Sequence, residues 1–327
     1  MSPARKRLLP WIALAVVYVV WGSTYMGIAL VVREMPPLGA AALRFFAAGV
    51  VMAAIAFFVD RAHGFPGRRA LLDYALIGVL LLAGGNGLVM WSETRVPSGI
   101  AALIVASVPL WITLFDGMRA GGQRWTLRVW LGVALGLLGA GLVARPQDAV
   151  AGHWGGVAAL QVACLLWTAG TLYAQSVPRR LPIFTASAVE MLAGSAVLAL
   201  ESRLLGEDLG RIATAGPTAW WALVYLAVFG SLLAFTCFAY CLNELPATTV
   251  GTYAYVNPVV AVFLGAVFLH EPVSTGLVAG AVLVLGAVVL TTRRGAEPAD
   301  PTRAASPPAD PGQDGARAPV PRLNAEG

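Results

Sequence analysis

The sequence predicts an all-α membrane protein of ten transmembrane helices, arranged as two inverted five-helix repeats. Three observations lead there. Hydrophobic residues make up 58% of the 327 positions and charged ones only 12%, far from the balance of a soluble domain. The charges avoid ten apolar runs, each about long enough to cross a bilayer as a helix: 10–32, 38–59, 70–91, 97–118, 126–145, 154–175, 183–203, 219–241, 247–268 and 272–292. The chain is also written twice. VPSGIAALIVASVP at 96–109 returns as LPATTVGTYAYVNP at 245–258, a shift of 149 residues that preserves both prolines.

Weaker anchors follow in the same order. WGSTY at 21–25 has a counterpart in WTAGTLY at 167–173, and RFFAAG at 44–49 is shadowed by EMLAG at 190–194 with a one-residue slip. GQRWT at 122–126 falls on HEPVS at 270–274, and LGA at 138–140 on LGA at 285–287. A period this long means two halves, not a solenoid. Five crossings per half is an odd number, so the second half must enter the membrane from the opposite side. Inverted repeats about an axis in the membrane plane suit alternating access, with a substrate site near the midplane. The expected organisation is a cytoplasmic N-terminus (1–9), a first repeat (10–145), a second repeat (154–292) and a disordered cytoplasmic tail (295–327), whose prolines and small residues cannot bury a core.

The formal net charge of +5 does not point to nucleic acid. With the N-terminus inside, the inner loops and ends collect Arg5, Lys6, Arg7, Arg61, Arg68, Arg69, Arg119, Arg124, Arg128, Arg179, Arg180, Arg293 and Arg294, against Arg33, Arg95, Arg145, Arg203 and Arg211 outside. That is the positive-inside bias, with both ends cytoplasmic. Cys164, Cys237 and Cys241 all fall in apolar runs, and an odd buried set gives no disulfide framework. The basic N-terminus before the first run imitates a signal peptide. The run is too long for one and lacks a small-x-small cleavage site, so it reads as a retained helix.

In the first run Tyr18, Trp21 and Tyr25 share one stripe, with Trp21 near mid-membrane, where it lines a cavity or simply packs. The second run carries Arg44 about 9–10 Å below the outer boundary, where it either snorkels outward or serves a function. The third rises to Gly84-Gly-Asn-Gly87, where glycines allow close approach or a break and Asn86 offers an amide inside the hydrocarbon. Glu93 follows at the expected outer surface as a solvated carboxylate. The fourth run is apolar but for Ser98 and Ser107 and reads as a kinked gate. The fifth, with glycines at packing spacing, reads as scaffold.

In the second half, Trp167 and Thr171 lie on the sixth run, and Glu190 lies about 10–12 Å deep on the seventh. The loop 202–218 reads as a solvated linker. The ninth run is the most polar. Thr249, Tyr253 and Asn257 recur every fourth residue, beside a second stripe of Thr248, Thr252 and Tyr255. Their first-half equivalents Ile100, Ile104 and Val108 offer no hydrogen bond. A water-filled cavity satisfies such a stripe directly, whereas a packed helix needs dedicated partners. The expected site is therefore asymmetric. The ninth helix supplies polar contacts (Thr249, Tyr253, Asn257), Trp21, Tyr25 and Trp167 supply aromatic walls, and Asn86 adds an amide. Arg44 and Glu190 are the coupling or charge-compensating pair: Glu190 titrates, while Arg44 fixes an anionic group or compensates its charge.

These residues resemble the EamA-domain group of the drug/metabolite transporter superfamily. The resemblance rests on WGSTY at 21–25, the pair Arg44-Phe45, VPSGIAA at 96–102, YVNP at 255–258 and the following Glu271-Pro272. It covers about 10–292 as two units. It implies a ten-helix inner-membrane carrier, often an exporter of amino acids, metabolites or drugs, with a cavity lined by the first four helices of each half. Related energised carriers commonly use the proton gradient. Gln123-Arg124 stands where the second half has Glu271-Pro272, so the turn is not symmetric. The expected partners are a small-molecule substrate and the lipid bilayer, with protons the candidate coupling ion and a second copy the candidate protein partner, and no nucleic acid, metal or cofactor. A membrane-embedded enzyme is disfavoured because His63, His153 and His270 all fall in loops and no HExxH is present. Passive facilitation is the nearer alternative.

Overall fold

A computed structural model describes residues 3–60, 66–118, 127–143, 154–178, 181–245, 250 and 253–292. All of them belong to the unit Met1–Thr292. The tail 295–327 lies outside the described residues, as do Thr248, Thr249 and Thr252.

Helices account for all the described regular structure, and no strand occurs among the described residues. The helices are α1 (Pro3–Val32), α2 (Pro37–Val59), α3 (Arg68–Ser92), α4 (Ser98–Val105 and Val108–Asp116), α5 (Leu127–Val143), α6 (Trp154–Ser176) and α7 (Ile183–Leu204). They continue as α8 (Pro217–Tyr225, Leu226–Leu233 and Ala234–Glu244), α9 (Tyr253–Phe268) and α10 (Thr275–Thr292). Among the described residues seven are long and apolar enough to cross a membrane: Leu8–Val32, Pro37–Val59, Arg68–Ser92, Ser98–Phe115, Trp154–Ser176, Ile183–Leu204 and Pro217–Phe238. The described apolar lengths of α9 and α10 are shorter, at Val256–Phe268 and Thr275–Ala287. Large apolar side chains such as Phe57, Phe58, Leu204 and Trp221 point outward, as a chain dissolved in lipid allows.

The irregularities fall where the two halves correspond. The middle of α3, Val79–Gly87, winds as a π-helix, and so does Leu226–Leu233 in α8, 147 residues later at its start. Glycine crowding accompanies both segments. At Gly78 a Cβ would lie 2.1 Å from the backbone oxygen of Glu190, so only glycine lets α3 and α7 approach this closely. π-Turns widen the helix and free carbonyls. In α8 the Gly230 carbonyl accepts the Trp21 indole N–H at 3.2 Å.

The kink expected in the fourth run is a break at Ala106–Ser107. The Ile104 carbonyl there accepts the backbone N–H of Ser107 at 3.0 Å, its hydroxyl at 2.7 Å and the Cys164 thiol at 3.6 Å. Neighbours thus re-satisfy the broken ladder, as a membrane interior demands.

Carboxylates close several helix ends across the two halves. Asp60, at the C-terminus of α2, accepts the Thr185 backbone N–H at 3.0 Å and hydroxyl at 2.8 Å at the start of α7. Glu207, just past the C-terminus of α7, accepts the N–H groups of Leu38 and Gly39 at 3.1 and 2.8 Å at the start of α2. The two helices therefore run antiparallel, and each caps the other, meeting the unpaired N–H groups and positive dipole end. The loop 202–218 is accordingly not the plain solvated linker its composition suggests: Glu207 is spent on α2, and the Gly216 N–H donates to Glu34 at 2.6 Å. Glu271 closes α4 in the same way, accepting from Ser98 N–H (2.8 Å), Ser98 hydroxyl (2.7 Å) and Gly99 N–H (3.0 Å). The preceding His270 takes a left-handed φ of 56°, which tightens the turn that aims this carboxylate. α5 packs along α10, with Gly139 beside Leu283 and Gly136 beside Ala287, again antiparallel.

Candidate functional site

A cavity of about 100 Å³ opens between α1, α2, α3, α4, α6, α8 and α9. That is room for several waters or a small ligand group. Its walls bring together most of the residues singled out from sequence: Trp21, Tyr25, Arg44, Asn86, Trp167, Tyr253 and Asn257. The repeated stretches meet there too. Val108-Pro109 of α4 and Asn257-Pro258 of α9, which correspond at the 149-residue shift, both line it.

Trp21 is buried, bonded through its indole N–H, and enclosed by Phe235, Phe238 and Tyr253 at centroid distances of 5.5, 4.9 and 5.1 Å. Its contribution is a fixed aromatic wall, not a free donor. Tyr253 stands edge-on to it at 84° and edge-on to Phe238 as well, so the three rings form one cluster. Asn257 is buried, and its amide nitrogen, turned towards them, donates to the carbonyls of Tyr253 and Tyr18 at 3.1 Å each. Only its carbonyl oxygen is left to accept. Asn86 donates to the Leu81 carbonyl at 3.4 Å inside the first π-segment. Thr249 lies outside the described residues, as does the Tyr255 side chain.

Arg44 does not snorkel outward. It is 3% exposed, its Nε donates to Ser231 Oγ at 3.0 Å, and its guanidinium carbon sits 4.7 Å from the Phe45 ring centre. Its Nη1 has no hydrogen-bond partner among the described residues. Gly230 makes room for it, since a Cβ there would lie 3.1 Å from Nη2. Arg44 thus leans on the π-segment of α8.

Glu190 stands apart. It does not line the cavity but packs its backbone against Gly78, at the start of the π-segment of α3. Depth in the membrane is legible from sequence, whereas lateral position is not, and here the two charges of the expected pair face different surroundings.

Glu93 is not the solvated carboxylate that the sequence suggests. Just past the end of α3, it is 8% exposed instead of solvated, and neither carboxylate oxygen has a partner among the described residues. Burial, and then the nearby Glu271 carboxylate, push it well above the ordinary glutamate value. Only the flank was readable: a glutamate two turns beyond the Gly84–Gly87 cluster, with nothing to show that Glu271 would come near it.

Known proteins share this arrangement and sequence. A solved crystal structure superposes with a TM-score of 0.60, at 21% identity, over 86% of this chain and 95% of the other. The Escherichia coli K12 protein named uncharacterized inner membrane transporter YedA is 39% identical over 302 residues, covering 90% of this chain and 95% of its own. An uncharacterized transporter of Archaeoglobus fulgidus is 24% identical over 87% of this chain. A WAT1-related chloroplastic protein of Arabidopsis thaliana is 23% identical over 89% of it. The EamA-like transporter family model matches twice, at residues 9–145 and 154–293, and so spans both copies of the repeat. The chain is a multi-pass inner-membrane protein that belongs to the EamA-like transporter family.

Proposed function

We propose that the chain exports a small organic molecule across the inner membrane by alternating access, driven by the proton gradient, with the cavity as its substrate site. In this reading residues 10–145 and 154–292 are two inverted five-helix repeats with both termini in the cytoplasm. One observation carries the proposal: corresponding positions of the two halves converge on a single cavity. Trp21 and Trp167 face it together, and so do the proline ends of the repeated stretch in α4 and α9. The π-segments at matched places in α3 and α8, and the reciprocal caps between α2 and α7, fit a pseudo-twofold relation. A site that draws on both halves is what a rocking motion would expose first to one side and then to the other.

Passive facilitation is the second reading. Among the described residues no acid lines the cavity, and a facilitator needs none. Purified protein in liposomes decides between them. Coupled export requires counterflow of a substrate that accelerates with an imposed pH gradient. Equal flux with and without the gradient supports facilitation, and no flux of any metabolite released by expressing cells refutes transport by this cavity.

A further inference from the structure

Arg44 poses a chemical question that its neighbours leave open. A guanidinium keeps its proton in a protein, so it must be accounted for as a charge. A buried charge without a partner is unfavourable unless something compensates it. Among the described residues, Arg44 is the sole charged side chain that lines the cavity, and Glu190 makes no contact with it there. Ser231, which takes the Nε–H, is neutral. Nη1 has no partner among the described residues, in a wall made mostly of Trp21, Tyr25, Trp167, Phe235, Tyr253 and aliphatic side chains, with Thr24, Asn86 and Asn257 as its neutral polar members.

We infer that Arg44 anchors an organic monoanion, a carboxylate carried on an apolar or aromatic body, an assignment that rests on the cavity being the substrate site. The anion completes the guanidinium, and the carbon body lies against the aromatic walls. One buried cation suits a single negative charge. A phosphate dianion carries more charge and more acceptor oxygens than this site can answer. The Nε–Ser231 bond fixes the guanidinium plane, so the remaining N–H groups keep one orientation.

The test measures binding without flux, so it stands or falls separately from the transport reading. Full-length protein purified in detergent is melted with phenylacetate, 4-phenylbutyrate or hexanoate, each against its own primary amide at equal concentration. At least one carboxylate should raise the melting temperature of the wild type well beyond its amide, while Arg44→Met shows no preference. Titration should place the loss of carboxylate affinity in Arg44→Met at roughly tenfold or more. Arg44→Lys keeps the charge but not the oriented fork, and should retain the preference at reduced affinity, so it carries the test if the methionine variant fails to fold. The inference is overturned if no carboxylate outdoes its amide in the wild type, if Arg44→Met responds as the wild type does, or if Arg44→Lys shows no reduction.

Discussion

Replacing Glu271 by glutamine tests what holds α4 to the last turn of the second half. The carboxylate accepts three hydrogen bonds at 2.7–3.0 Å from Ser98 and Gly99, at a helix end whose dipole favours negative charge. An amide of the same shape keeps one acceptor oxygen and turns an NH2 group towards a backbone donor. Hydrogen bonds to a charged group are worth about 1.5–3 kcal/mol each. Glu271 is half-buried, and one acceptor survives in the variant, so a loss of about 2–3 kcal/mol is expected, which is roughly 30- to 150-fold in the closing equilibrium of this contact. Hydrogen exchange followed by mass spectrometry reads it directly. Peptides covering residues 98–103 should exchange faster by about that factor, while those from α10 remain as in the wild type. Exchange in 98–103 within threefold of wild type would refute the assignment of Glu271 as the clamp on α4.

Further predictions concern other contacts. Glu93 binds its proton more tightly when folded than when unfolded, so stability is fully present below the ordinary glutamate range of about pH 4.3 and falls as pH rises through the raised folded value. Glu93→Gln should flatten that decline in melting temperature between pH 5 and 8, and an unchanged slope would exclude Glu93 as its source. Gly78→Ala places a carbon 2.1 Å from the Glu190 backbone oxygen, which forces α3 from α7 and should cost more than about 3 kcal/mol, seen as loss of the monodisperse peak in size-exclusion chromatography. Tyr253→Phe should weaken substrate affinity several-fold and Ile104→Val hardly at all, measured by flux in liposomes; the reverse order would remove α9 as the polar wall. Single cysteines at Gly206 and Gln313, in a background lacking the three native ones, should label from opposite sides of intact cells.

What sequence could show depended on whether a feature repeats or merely pairs. Part of the cavity wall was legible because it is written twice: the proline ends 109 and 258 and the tryptophans 21 and 167 carry their position in their spacing. Arg44 was legible as a deep charge, since burial of arginine in an apolar run is conspicuous. Glu207, Asp60, Glu34 and Glu271 were not, because a cap is a meeting of two distant segments and leaves no local pattern. Glu93 was misread for the same reason, as nothing near it tells which turn will cover it. The π-segments were hidden more deeply, since a widened turn uses the same apolar residues as an α-turn. Asn257 was legible as a wall residue but not as one whose amide nitrogen is already bonded to Tyr253 and Tyr18.

The mutual capping of α2 and α7 bears on how such a chain could be assembled from parts. Each helix ends in the acid that completes the other's beginning, so neither half is self-sufficient: alone, each would leave bare amide groups at the start of one helix and an idle carboxylate at the end. Severing the backbone between residues 145 and 154 removes neither acid. Two separately translated fragments, 1–149 and 150–327, therefore carry complementary ends that only the other can satisfy. Co-expressed, they should find one another in the membrane and co-purify as a one-to-one pair, while Asp60→Ala combined with Glu207→Ala should leave them to be degraded apart.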